Sequence, residues 1–195
     1  AQIEALQRER FNLAEAHRVA SQMDRFSLDS LHQFELITDA LAVDSLAALV
    51  QLFEQHVPDR AIIFLPEAHE SARNSPYSGN LLGPAHLLRA VCEVATRYHF
   101  GNLKEGEDFK RAFEAAGETS FAADSSPTTL SKYGSKYERS YNDGARTQTV
   151  LLRPHVSFGS GRANSSVKIY WHVDEANRRF VVGQIGEHLP IAKRF

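Results

Sequence analysis

The sequence is poor in the features that mark membrane, secreted and metal-binding proteins. It has a single cysteine, Cys92, so neither an intrachain disulfide nor a cysteine zinc site can form. No apolar run approaches the roughly 20 residues needed to span a bilayer. The first residues, AQIEALQRER, lack the apolar stretch of a signal peptide. We therefore expect a cytoplasmic protein with no membrane partner.

Sequence motifs of nucleotide and hydrolase chemistry are also missing. GSGR at 159–162 lacks the Gly-Lys-Ser/Thr ending of a phosphate-binding loop, and Asn164 stands where a dinucleotide fingerprint requires a glycine. The chain contains neither a zinc-binding HExxH nor a Gly-x-Ser-x-Gly nucleophile elbow. Its nine histidines are scattered singly. We expect no metal and no cofactor.

Hydrophobic periodicity predicts a helical N-terminal region. Apolar residues at three- and four-residue spacing predict helices over about residues 1–25, 28–41, 44–57, 84–101 and 107–117. Asp44 is the expected cap of the third helix, and Pro84 suits the first turn of the fourth. The apolar stretch Ile62–Leu65 fits either a strand or a helical turn, and we favour a helix.

The composition changes after Phe121. Small and polar residues predict a linker over residues 119–130. Beyond it the period becomes alternating, which predicts a strand over 147–153 and a hairpin of 167–173 and 180–185. The sequence therefore predicts an α+β fold, in which a helical N-terminal region precedes a small antiparallel β-sheet.

Charge separates the same two regions. The net charge of −2 combines +6 over residues 131–195 with −8 over residues 1–130. A basic region attracts polyanions, whereas an acidic one keeps a protein soluble or contacts other proteins. We predict an acidic helical region, 1–118, that contacts a protein partner, and a basic sheet region, 131–195, that contacts RNA or the ribosome.

The stretch RPHVSFGSGR raises the question of whether the sheet holds a phosphate or only ends in a turn. Alternation places Arg153 and His155 on one face of a strand, and Lys168, Tyr170 and His172 on one face of the next. If the two faces coincide, cations, a phenol and imidazoles meet on one surface. The alternative is a strand, a turn and structural histidines.

This set of side chains fits metal-independent cleavage of RNA. In that reaction a base removes the proton of the 2′-hydroxyl, a cation stabilises the pentavalent phosphorane and an acid protonates the leaving oxygen. Histidine titrates in the required range, and arginine binds phosphate through two donors. The predicted catalytic residues are His155, Arg162, His188 and Tyr170.

A second group of basic and aromatic residues is predicted to bind nucleic acid. Tyrosines stack on bases and cations pair with phosphates. The group consists of Lys132, Tyr133, Lys136, Tyr137, Arg139, Arg146, Arg153 and Lys168. The alternative interpretation is a flexible polar loop that its tyrosines anchor.

The C-terminal segment also resembles a known family. HVSFGSGR followed by VKIYWHVDEANRRFVVGQIGEHLP is similar to the closing segment of a group of uncharacterised bacterial proteins and to the small sheet of the RelE-like toxin superfamily. The resemblance covers about 40 of the 195 residues. It implies mRNA cleavage, on the ribosome or free, with Arg162, Lys168, Tyr170 and His188 as candidate residues.

Two classes of function follow. The first is a toxin-like or phage-defence-associated endoribonuclease that acts through its basic C-terminal sheet. The second is a non-catalytic module of a bacterial defence or regulatory complex, which binds protein or nucleic acid. Catalysis requires an acid and a base within reach of one phosphate, whereas binding requires only a basic surface.

Overall fold

The computed structural model describes residues 42–57, 60–103, 108–159 and 162–192. The helices predicted over 1–25 and 28–41 lie outside the described residues. The described elements, in chain order, are α1 Leu46–His56, β1 Ile62–Phe64, α2 Pro66–Arg73, α3 Leu82–His99, α4 Phe109–Ala115, α5 Pro127–Tyr137, β2 Glu138–Asn142, β3 Thr147–Leu151, β4 His155–Phe158, β5 Val167–Asp174 and β6 Arg179–Gly186. The predicted α+β class is confirmed.

Polar side chains cap the N-termini of two helices and fix where these helices begin. The Ser45 hydroxyl accepts a hydrogen bond from the Ala48 N–H at 3.2 Å, so the cap of α1 lies one residue after the predicted Asp44. Asp108 caps α4 in the same way, accepting from the Arg111 N–H at 2.9 Å. Each cap satisfies a backbone donor that has no partner inside its helix.

A four-stranded sheet with the order β1-β6-β5-β4 forms the centre of the molecule. Strands β4, β5 and β6 are antiparallel, whereas β1 runs parallel to β6 with Ile62 opposite Phe180. The prediction of a helix at Ile62–Leu65 is therefore wrong, because Ile62–Phe64 form a strand. Ile62 and Phe64 face the main core while Ile63 packs on the other side, so all three residues are apolar because both faces are covered.

Two different layers cover the sheet. Helices α1 to α4 pack on one face, where Val156, Ile169 and Trp171 join the main core. Helix α5 and the two-stranded ribbon β2–β3 pack on the other face, where Tyr137 and Leu152 contact Tyr170. Most of the sheet is therefore buried between the helices and the ribbon.

The predicted division at residues 118 and 131 does not separate two cores. One apolar cluster joins residues of α1, α3 and α4 to residues of β4, β5 and β6. The predicted linker 119–130 is also wrong in its last residues, because α5 begins at Pro127. Ser126 accepts from the Thr129 N–H at 3.2 Å, so polar residues that suggested a linker are the start of a helix.

The strand predicted over 147–153 ends earlier than expected. β3 stops at Leu151 and pairs with β2 outside the central sheet, and Pro154 separates it from β4. Pro154 cannot donate to a strand ladder, which explains the break. The short edge strand β4 was not predicted as a separate element.

No helix within the described ranges is long and apolar enough to cross a bilayer.

The turn after β4 requires glycine at position 159. Gly159 has φ of +75°, and a Cβ there would lie 2.1 Å from the Ser165 carbonyl oxygen. Gly144 has φ of +98° but open space around it, which makes it a matched control. We expect Gly144→Ala to lower the free energy of unfolding by about 1–2 kcal/mol through backbone strain. Gly159→Ala should cost about 1–3 kcal/mol more through the clash. Urea unfolding measures both, and equal losses would contradict this account of the turn.

Candidate active site

The centre of the candidate site is a pair of rings on neighbouring strands. His155 of β4 lies directly opposite Tyr170 of β5, and their rings stack with centroids 4.8 Å apart. Lys168 lies on the same face, opposite Ser157. The two faces described from alternation therefore coincide, and they bring His155, Lys168 and Tyr170 together.

His188 joins this group from the segment after β6. Its Nδ1 lies 2.7 Å from the Tyr170 hydroxyl and 2.6 Å from the Leu189 carbonyl oxygen. A carbonyl only accepts, so Nδ1 donates to Leu189 when it carries a proton, and it accepts from the Tyr170 hydroxyl when it does not. The ring centroids of His188 and His155 are 6.3 Å apart. His188 is exposed, which leaves its Nε2 as the nitrogen that a ligand can reach.

The surroundings of His155 favour its neutral form. Burial, followed by the Lys168 ammonium, lowers the pKa of His155 to about 4, and the Arg153 carbonyl partly opposes this. Its Nδ1 is buried and has no hydrogen-bond partner among the described residues. With Nδ1 enclosed, Nε2 is the nitrogen that a substrate would have to reach for proton exchange with His155.

His188 and Lys168 are perturbed in the same direction. Partial burial and the Lys168 charge lower the pKa of His188, while its hydrogen bond to the Leu189 carbonyl raises that pKa. Burial also lowers the pKa of Lys168. One ammonium thus acts on both imidazoles, which is the arrangement needed to hold an anion between them.

Tyr170 positions other groups and is not itself accessible. It is fully buried, and burial raises the pKa of its hydroxyl well above the usual range. The Tyr137 ring packs against it edge-on at 5.9 Å. The prediction that Tyr170 is catalytic is therefore corrected, because a buried phenol cannot touch a substrate. Its hydroxyl instead fixes the orientation of His188.

Arg162 does not join the two histidines. His155 begins β4, whereas Arg162 follows its end, beyond the pairing of Phe158 with Val167. Arg162 is not among the main causes of the pKa shift of either histidine. The cation beside the imidazoles is Lys168, which was predicted to bind nucleic acid and which the resemblance to RelE-like toxins implies as a candidate residue.

Some of the other predicted nucleic-acid-binding residues are exposed, and others form contacts within the protein. Lys132, Lys136, Arg146 and Arg153 are exposed. Tyr133 is half-buried beneath the Lys132 ammonium, which lies 5.3 Å from its ring centroid. Arg153 forms an ion pair with Asp124 at 3.1 Å.

Two members of that group cannot serve as predicted. Tyr137 is fully buried, and its hydroxyl donates to the Pro190 carbonyl at 3.0 Å, so it cannot stack on a base. The Arg139 guanidinium donates to the carbonyls of Lys136, Glu138 and Gly183. These two side chains attach α5 and β2 to the central sheet.

Sequence reasoning missed two contributors to the site. Asp124, in the predicted linker, lies close enough that its charge raises the pKa of His155. The cover that α5 places over Tyr170 was also missed, since it depends on long-range packing. Among the described residues, no group of three or more His, Cys, Asp or Glu side chains could hold a metal ion.

Comparison with known proteins finds no match. No protein-family model, no curated protein and no solved structure matches this chain. The resemblance to RelE-like toxins remains a prediction from the sequence.

The buried position of His155 makes stability depend on pH. Below about pH 6.5 the unfolded chain binds a proton at His155, but the folded protein does so only near pH 4. The free energy of unfolding should therefore fall as the pH falls across this window, by up to about 1.4 kcal/mol per pH unit from this residue. His155→Phe keeps a ring against Tyr170 and removes the titration. Urea unfolding at pH 7, 6 and 5 should show a shallower decrease for the variant, and identical slopes would contradict the burial of His155.

Proposed function

We propose that the protein is a toxin-like, metal-independent endoribonuclease that cleaves RNA between His155 and His188. The observation that supports this proposal most is the 6.3 Å separation of two imidazole rings beside one ammonium. Two proton-transfer groups and a cation are the parts that cleavage through the 2′-hydroxyl requires.

Each residue takes a definite role in this reaction. His155 is neutral and removes the 2′-hydroxyl proton through Nε2 while the 2′ oxygen attacks phosphorus. The bond from phosphorus to the 5′ oxygen breaks, and His188 gives that oxygen the proton of its Nε2. Lys168 stabilises the charge of the phosphorane and supplies the positive charge that a metal ion provides elsewhere. The products are a 2′,3′-cyclic phosphate and a 5′-hydroxyl.

The two histidines are suited to opposite roles. A low pKa keeps His155 unprotonated and ready to act as the base. Burial and the Lys168 charge lower the pKa of His188, but the Leu189 carbonyl opposes them by accepting from the protonated Nδ1, which favours the form that an acid needs. Tyr170 contacts both rings and is the positioning residue of the pair.

A non-catalytic nucleic-acid-binding module is the second candidate. The exposed side chains of Lys132, Lys136 and Arg146 favour it, since they belong to α5 and the ribbon and not to the histidine pair. Such a module would bind RNA equally well with or without His188.

Replacement of His188 tests the catalytic proposal. We expect His188→Ala to lower the rate of RNA cleavage about 10²- to 10⁴-fold, the usual contribution of a general acid. Cleavage by the unaltered protein should persist in EDTA and yield 2′,3′-cyclic ends, which digestion of a labelled oligoribonucleotide and mass spectrometry of its products detect.

The matched control is His56→Ala, an exposed histidine of α1 that lies outside both the histidine pair and the predicted nucleic-acid-binding group. This change should leave the rate of cleavage within about twofold. Full activity of His188→Ala, or a strict requirement for a divalent metal, would leave only the binding module.

The pH profile gives a separate test of the roles. Activity requires neutral His155, hence a pH above about 4, and protonated His188, whose pKa lies below its ordinary value of 6.5. We expect kcat/KM to be bell-shaped with its maximum between about pH 4 and 6.5, and lower at pH 7.5 than at pH 5.5. In Lys168→Met the descending limb should move to higher pH. A maximum above pH 7.5 would refute this assignment.

A further inference from the structure

A cleft lies at the end of β4 that is opposite to His155. Its volume is about 370 Å³, within the range of ligand pockets, and its lining residues are Tyr77, Asn80, Leu82, Gly83, His86 and Phe158. Leu82 and Phe158 are 37% and 38% exposed, although both are large and apolar. The cleft therefore presents an aromatic and an aliphatic side chain to the solvent.

The Phe158 ring is held against α3. The ring packs against the backbone of α3 at Gly83, where a Cβ would lie 2.2 Å from two of its carbons. A side chain at position 83 would push the ring away. Glycine therefore allows the Phe158 ring to lie close against α3, while 38% of the residue stays exposed and accessible to a ligand.

The opposite wall is held by hydrogen bonds. The Tyr77 hydroxyl donates to the Asn80 carbonyl at 2.7 Å, and the Asn80 side-chain oxygen accepts from the Leu82 N–H at 2.7 Å. The amide NH₂ of Asn80 and the ring of the exposed His86 remain as polar groups at the rim. The cleft thus combines ring faces with groups that can hydrogen-bond.

A cation stands beside the cleft. The Ser78 N–H donates to the Asn164 carbonyl at 3.1 Å, which holds the turn containing Arg162 against the Tyr77–Asn80 loop. Arg162 is exposed and forms no ion pair with any side chain in the described ranges. Its charge is complementary to that of a phosphate.

We propose that this cleft binds a nucleobase of single-stranded RNA, which stacks on Phe158 while Arg162 pairs with an adjacent phosphate. The inference rests on the proposed ribonuclease function, which supplies RNA as the class of ligand. Aromatic side chains stack on every base, and Asn80 and His86 can contact the base edge. His155 and Phe158 are about 10 Å apart along β4 and point to opposite faces, so the RNA passes around the end of the strand where Arg162 lies.

The test compares two oligonucleotides that the protein cannot cleave. The probes are a fluorescein-labelled single-stranded DNA of eight nucleotides, which lacks the 2′-hydroxyl, and the same backbone with abasic sites. Phe158→Ala should weaken binding of the ordinary probe about 5- to 150-fold, the contribution of one stacked base. Binding of the abasic probe should not change. Phe158→Trp should retain binding, since it keeps a ring to stack on.

Gly83→Ala is the second variant. It displaces the Phe158 ring without removing it, and alanine in a helix is at least as stable as glycine, so the protein should remain folded. The matched control is Gly134→Ala in α5, where a Cβ meets nothing within 4 Å. Gly83→Ala should weaken binding of the ordinary probe by the same factor as Phe158→Ala. Gly134→Ala should leave that binding unchanged.

The outcomes separate this inference from the proposed function. If Phe158→Ala and Gly83→Ala bind the ordinary probe as the unaltered protein does, the nucleobase cleft is refuted, even where His188-dependent cleavage is found. If neither the unaltered protein nor any variant binds either probe, the proposal of a nucleobase cleft is refuted as well. If cleavage is absent but loss of binding follows Phe158 and requires the bases, the cleft stands and catalysis fails.

Discussion

The pairing register of β4 with β5 is the constraint on which the site depends. Val156 must face the helices with Ile169 and Trp171, because these side chains complete the main core. Once they do, His155 and Tyr170 must meet on the other face. A slip of one residue would bury His155 among the helices and expose the core, so burial of apolar area selects the register. The chemistry of the polar face is a consequence of packing on the apolar one.

The two layers over the sheet then divide the polar face into covered and open parts. Tyr137 and Leu152 close over Tyr170, which removes its hydroxyl from solvent and makes it a fixed support for His188. His188 remains exposed beside it. A buried support with an accessible imidazole is the usual means of holding a proton-transfer group in one orientation. The same layer takes Arg139 out of the basic surface by engaging it with backbone carbonyls.

Some of this arrangement could be predicted from local sequence and some could not. Alternation along β5 was sufficient to place Lys168 and Tyr170 on one face, and apolar periodicity located α1, α3 and α4. The position of Arg162 could not be predicted in this way, because it depends on the break at Pro154 between β3 and β4. The strand at Ile62–Phe64 escaped prediction because a run that is apolar on both faces has no period to read. The burial of Tyr137 depends on a contact with Pro190, 53 residues away, which leaves no local signal.

We infer that the Lys168 ammonium acts on both His155 and His188, and NMR titration of the two imidazoles measures this effect. We expect His155 to titrate near pH 4 in the unaltered protein and Lys168→Met to raise the pKa of both histidines, since one ammonium lowers both. Two histidines that titrate near 6.5 and do not respond to the loss of Lys168 would contradict it.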